Sequence, residues 1–255
     1  MYELEIRPGE GFALRLDGKL LIQDTPDAPA LFLGRGKEKI RMFRGNFDIR
    51  DRVDERAALR PLGFADGILR LGSPVLTGEY RLCFAEREGR LEITGECDDP
   101  DWNRLWLRLY AEEGEHLVGG GEQFSALDLH GRLWPIWTRE QGVGRNKLTE
   151  VTRLADALDG SGGDYQTTFF PQPTVLSSRL FFAHLENYEY SELDLREKTF
   201  HEIGVWSTAL RLKLCCRDSF ASLLESLTGL LGRQMPLPDW SMKGLWLGVQ
   251  GGTER

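Results

Sequence analysis

The run Leu210-Arg211-Leu212-Lys213-Leu214 sets a leucine at every second position with a cation between each pair. A β-strand turns successive side chains to opposite faces, so this spacing describes a strand with one face buried and one wet. The same period recurs outward along the chain. Leu105, Leu107 and Leu109 repeat it, as do Leu91 with Ile93, and Tyr80, Leu82 and Phe84. Nearer the N-terminus it returns in Phe12, Leu14 and Leu16, and in Tyr2, Leu4 and Ile6. Turn signals separate the runs: Pro8-Gly9, Asp17-Gly18, Ala65-Asp66-Gly67 and Glu88-Gly89. With 29 Gly and 11 Pro, the chain reads as mainly β, a large antiparallel β-sandwich.

One segment breaks the period. In Asp218 to Leu231, Phe220, Leu223, Leu224, Leu227 and Leu231 fall at helical spacing. Asp218 or Ser219 can accept the N-terminal cap bond, Gly232 suits a left-handed stop, and Pro236 and Pro238 forbid continuation. Beyond them, Leu245 to Gln250 reads as a short buried strand with Trp246 inside it, ended by Gly251 and Gly252. A lone strand cannot satisfy both its edges. The expected division is a sandwich over 1–217, a linker helix over 218–235 and a further unit opening at 236–255.

The 255 residues are 41% hydrophobic and 28% charged, which excludes collagen, coiled coil and disorder. Forty Asp+Glu against 32 Lys+Arg leave a net charge of −8, against nucleic-acid or anionic-membrane binding. No apolar run reaches membrane-spanning length, and Glu3 and Glu5 interrupt any signal-like segment. Cys83, Cys97, Cys215 and Cys216 form no CxxC pair and read as free thiols, which fits a cytoplasmic protein.

Chemistry is sparse in the residues. His116, His130, His184 and His201 show no metal-ligand spacing, so no metal and no cofactor are expected. No G-x-S-x-G elbow occurs. Gly142 to Lys147 lacks the Walker spacing, but Arg145, Asn146 and Lys147 are convergent donors for an anion or sugar, or a solvated turn. In Gly119 to Phe124, three glycines allow close backbone approach and leave Glu122 and Gln123 either lining a pocket or flanking a bulge. Trp134, Trp137, Tyr165, Phe169 and Phe170 cluster nearby, with Asp164 among them. Such a mixture suits sugars, although most of these rings are expected in the core.

Several segments resemble glycoside hydrolase family 31. They are Met42–Ile49 (MFRGNFDI), Asn103–Leu109 (NRLWLRL), Gly119–Arg132 (GGGEQFSALDLHGR), Pro135–Thr149 (PIWTREQGVGRNKLT), Gly162–Thr174 (GGDYQTTFFPQPT), Leu230–Trp240 (LLGRQMPLPDW) and Leu247–Glu254 (LGVQGGTE). Within that family the chain is most similar to the bacterial sulfoquinovosidases, long labelled α-glucosidases, and the resemblance implies an α-sulfoquinovoside or an α-glucoside as substrate. The resemblance implies a galactose mutarotase-like sandwich, a linker helix, and the first strand of a (β/α)8 barrel cut short. A barrel needs about 250 residues, and only Pro236 to Arg255 remain for it here.

It also implies a retaining double displacement by two aspartates at later barrel strands, about 5–5.5 Å apart. No catalytic residue is therefore assigned to this chain, and the groups that read the sulfonate belong to the same unseen barrel. The expected contribution is a rim: Glu122, Gln123 and the Gln141–Lys147 loop, with Gln141, Arg145, Asn146 and Lys147 as its polar groups. Gln250 is expected to line the pocket at the end of the first barrel strand, and Trp246 to be core. The partner is a small-molecule glycoside, with a homo-oligomer left open. The competing reading is a standalone carbohydrate-binding or structural sandwich, which has no use for a Trp246 strand.

Overall fold

The computed structural model describes residues 1–43, 46–139, 148–160 and 162–248. A three-stranded meander opens the chain: β1 (Tyr2–Arg7), β2 (Gly11–Leu16) and β3 (Lys19–Gln23). A long arm follows, β4 (Leu31–Phe43) with β5 (Asn46–Ala58). Then come β6 (Arg60–Ala65), β7 (Ile68–Gly72), β8 (Tyr80–Arg87), β9 (Arg90–Cys97), β10 (Arg104–Tyr110), β11 (Leu117–Gly121) and β12 (Leu133–Ile136). After α1 (Glu150–Asp159) the chain forms β13 (Pro171–Ser177), β14 (Phe181–Leu185), β15 (Ser191–Asp194), β16 (Phe200–Val205) and β17 (Leu210–Cys216), and closes on α2 (Phe220–Leu231).

Two antiparallel sheets form the sandwich. One runs β12-β15-β16-β10-β4-β5, the other β11-β13-β14-β17-β9-β8-β7-β6. The period-2 leucines meet between them. Leu105, Leu107, Ile203, Val205 and Trp134 come from the first sheet, and Leu82, Leu91, Ile93, Leu212, Leu214 and Phe181 from the second, all buried. Each such side chain contributes about 1.5–3 kcal/mol of burial free energy. In β17, Leu210, Leu212 and Leu214 are buried while Arg211 is exposed and Lys213 half-buried, as the spacing requires.

The turn signals do what their residues allow. Asp17-Gly18, Asp66-Gly67 and Glu88-Gly89 all take positive φ at both positions and close the β2–β3, β6–β7 and β8–β9 hairpins. Adjacent Cys215 and Cys216 point to opposite faces of β17: Cys216 enters the main core, and Cys215 lies beneath α2 with Leu176 and Phe182. Burial pushes the Cys216 thiol up to about 12, so it stays protonated and unreactive.

The structure adds to or departs from the sequence reading at four points. Helix α1 follows no pattern singled out above; it is set by its ends, the Thr149 hydroxyl accepting from Thr152 N and Gly160 in the left-handed conformation. In α2, Ser219 caps as expected, but only Leu223 and Leu227 are buried, and Phe220, Leu224 and Leu231 stay exposed. Gly232 has φ 89° and ψ 170°, a positive-φ stop outside the left-handed helical well. Leu245 to Gly248 form no strand, and Leu245, Trp246 and Leu247 are 92%, 70% and 80% exposed. Trp246 is therefore not core; its ring lies 5.6 Å from that of Trp240. A strand needs a hydrogen-bonded neighbour, and among the described residues none lies beside this segment.

Candidate functional site

The glycine run is a bulge. The β11–β13 register shifts between Gly119 and Gly121, and all three glycines have positive φ. A Cβ on Gly121 would lie 2.1 Å from the Phe170 carbonyl oxygen, so only glycine fits where the two strands close on each other. The bulge delivers Glu122 to the surface. Its N–H donates to Phe170 O at 2.8 Å, its carbonyl accepts from the Thr168 hydroxyl, and its carboxylate is exposed. Gln123 folds back, its amide nitrogen donating to Gly120 O at 2.8 Å; its Oε1 is buried with no partner among the described residues. Glu122 and Gln123 thus share a bulge but face different surroundings. Gln141, Arg145, Asn146, Lys147 and Gln250 lie outside the described residues.

The aromatic cluster is wetter than expected. Only Trp134 is buried, its indole N–H donating to Leu129 O at 2.8 Å. Tyr165, Phe169 and Phe170 are exposed and Trp137 is half-buried. Phe169 meets exposed Phe124 edge-on at 6.4 Å. The sandwich core is already filled by leucines from facing strands, and these rings sit on connections that leave it. Asp164 orders this region. It accepts from Gln166 N at 2.9 Å and pairs with Arg139 Nη1 at 3.1 Å, while Arg139 N donates to Thr168 O at 2.9 Å.

A concavity of about 680 Å³ lies between the β4–β5 arm and the β12 edge. Phe47, Trp137, Tyr190, Glu192, Gln166 and Arg139 line it. Phe47 packs on Trp137 at 4.9 Å, Trp137 on Tyr190 at 5.3 Å, and Tyr190 on Trp206 at 4.3 Å. The Tyr190 hydroxyl donates to Glu192 Oε1 at 2.7 Å. Burial raises Glu192 above the ordinary carboxylate range, and neighbouring Asp51 and Asp194 add to the shift. Phe47 and Trp137 lie in motifs quoted above. Tyr190 and Glu192 carried no signal, because they sit around an ordinary short strand far away in sequence.

A second polar cluster is enclosed. Glu115 is buried, with Ser177 Oγ, His201 Nε2 (3.2 Å) and Glu112 N (3.1 Å) around it. Burial works to raise its pKa, but His201 and Ser177 outweigh that and hold it low. Serine and histidine both face the carboxylate rather than each other, so this is not the nucleophile–base–acid order of a hydrolytic triad. Among the described residues no group of three or more His, Cys, Asp or Glu is placed to hold a metal, and no helix is long and apolar enough to cross a membrane.

No protein-family model matches the chain. It is 43% identical over 252 residues to the sulfoquinovosidase of Escherichia coli K12, an alignment covering 96% of this chain and 37% of that protein. It is 42% identical over 245 residues to the sulfoquinovosidase of Agrobacterium fabrum C58, covering 96% of this chain and 36% of that one. A GH31 family sulfoquinovosidase from E. rectale, solved with an aza-sugar inhibitor, superposes with a TM-score of 0.88 at 36% identity, covering 99% of this chain and 38% of its own. The chain therefore spans little more than a third of the proteins it matches. Over that span it is a homologue of the glycoside hydrolase family 31 sulfoquinovosidases, consistent with their N-terminal portion.

Proposed function

We propose that the chain is the N-terminal part of a retaining glycoside hydrolase acting on α-sulfoquinovosides, in which it supports and rims a barrel active site. The observation that carries this is identity above 40% to two sulfoquinovosidases over 96% of this chain, combined with the 0.88 superposition. In this reading the sandwich over 1–217 resembles the galactose mutarotase fold, 218–235 links, and 236–255 opens the barrel. Glu122, Gln123, Gln141, Arg145, Asn146 and Lys147 supply rim contacts to the glycoside, and Gln250 lines the pocket. The two acids of the double displacement lie on later strands, so the 255-residue chain by itself is inactive.

The test compares release of 4-nitrophenol from its α-sulfoquinovoside and its α-glucoside by this chain and by a form extended through the barrel. The expected result is no turnover by the short form and sulfoquinovoside turnover by the long one. Turnover by the short form, or a preference of the long form for the glucoside, overturns the assignment. In the long form, Glu122→Ala or Arg145→Ala with unchanged kcat/KM removes those residues from the rim.

A further inference from the structure

We propose that the cleft between the β4–β5 arm tip and β12 is a binding site for a neutral pyranoside, carried by this chain itself. Its volume of about 680 Å³ lies in the range of small-molecule sites, which run from roughly 300 to 1,000 Å³. One wall is aromatic: Phe47, Trp137 and Tyr190 form a tilted stack with the Trp137 ring in the middle, half-buried. The C–H face of a pyranose presents apolar surface to such rings, while its hydroxyls require donors and acceptors around the edge.

The other wall supplies both. Gln166 is held by its amide nitrogen on Leu133 O at 2.9 Å, and the acceptor end of that amide faces no described partner. Glu192 is fixed through Oε1 by Tyr190, and no described residue bonds its Oε2. Arg139 is anchored by Asp164, yet its Nε–H is buried and unpartnered among the described residues.

Charge decides the class of ligand. Arg41 and Arg139 are balanced by Asp48 and Glu192 on the same lining, and Arg139 is already paired with Asp164. A sulfonate or phosphate site needs an excess of cationic donors. A balanced aromatic cleft fits an uncharged, hydroxyl-bearing ring instead. The inference stands apart from the hydrolase reading, since it concerns binding by this chain and not turnover by a longer one.

The test is titration of the 255-residue chain with methyl α-D-glucopyranoside, read by saturation-transfer NMR and tryptophan fluorescence. Saturable binding is expected. Trp137→Ala and Glu192→Ala should each weaken it at least tenfold, and Leu62→Ala, an exposed change on β6, should leave it unaltered. Where near-UV circular dichroism shows Trp137→Ala to be misfolded, Gln166→Ala replaces it, with at least threefold weakening expected. Three outcomes overturn the proposal: no saturation, equal binding by the parent and the cleft variants, or tighter binding of methyl α-sulfoquinovoside than of the glucoside.

Discussion

The outer faces of the two sheets are finished in different ways. On the eight-stranded sheet, α2 lays Leu223 and Leu227 over Leu176, Phe182 and Cys215, making a small dry layer outside the main core. On the six-stranded sheet, arginines lie over aromatic rings. The Arg108 guanidinium sits 3.9 Å from the Phe200 ring centroid and 4.7 Å from that of Phe32. Arg56 lies 4.2 Å from Phe32 and 4.5 Å from Trp106, and Arg104 lies 4.4 Å from Trp206. Each cation is also paired: Arg56 and Arg108 share Glu202, and Arg104 binds Asp51 and Glu38. Trp106 lies so close to the sheet that a Cβ on Gly34 would stand 2.4 Å from its ring.

The difference teaches that a sheet has two routes to a satisfied second face. A helix excludes water with leucine, whereas planar guanidinium groups cover rings while keeping their own bonds to carboxylates. The second route leaves the face open, and the cleft at its β12–β15 end is part of that openness. The first route has its own cost in exposure. Roofing with α2 turns Phe220, Leu224 and Leu231 to solvent, and Leu237, Trp240, Leu245 and Trp246 beyond it are exposed as well.

The largest effect expected from this comparison is self-association. Exposed apolar surface of this extent drives association, so sedimentation velocity should show concentration-dependent oligomers. Removal of 236–255 should shift the population toward monomer; a chain that stays monomeric throughout breaks the contrast at the helical side. Next is Leu223→Ala, which empties a fully buried site under α2. It should cost about 3 kcal/mol in urea unfolding. Glu202→Ala comes third. It leaves two stacked arginines without their shared carboxylate and should cost about 2 kcal/mol. If both variants cost the same in high salt, the two faces are not held by different forces.

The smallest effect is a change of slope with pH. Glu192 is raised above the ordinary carboxylate value of 4.5, so the folded chain binds that proton more tightly than the unfolded chain does. Its contribution is fully present below 4.5 and is lost as the pH climbs through the folded value. Glu192→Gln cannot ionise and should flatten that decline in urea midpoints. An unchanged slope would show that Glu192 is ionised in the folded protein.

Much of the architecture could be read along the chain, and the reason is local. A strand with one buried face writes itself as alternation, and β8, β9, β10 and β17 show it without reference to any other segment. Two-residue turns need positive φ, so Asp17-Gly18 and Glu88-Gly89 announce their hairpins. Helix α2 announced its length but not its burial, because how many of its leucines are covered depends on how it lies across β14 and β17. The glycine bulge was legible as a close approach, though the strand it approaches was not.

The site was legible only in pieces. Phe47, Trp137 and Arg139 stand in segments quoted for the family resemblance, whereas Tyr190 and Glu192 look like any strand entry. What joins them is the order β12-β15-β16-β10-β4-β5, a pairing of strands distant in sequence. Alternation and turn chemistry depend on neighbours one or two residues away, and the order of amino acids alone sufficed for them. The cleft, the stacked arginines, the exposed Phe169 and the exposed Leu245–Gly248 depend on which strand lies beside which. Only folding in three dimensions sets that, because hydrogen-bonded strand partners are chosen by the chain as a whole.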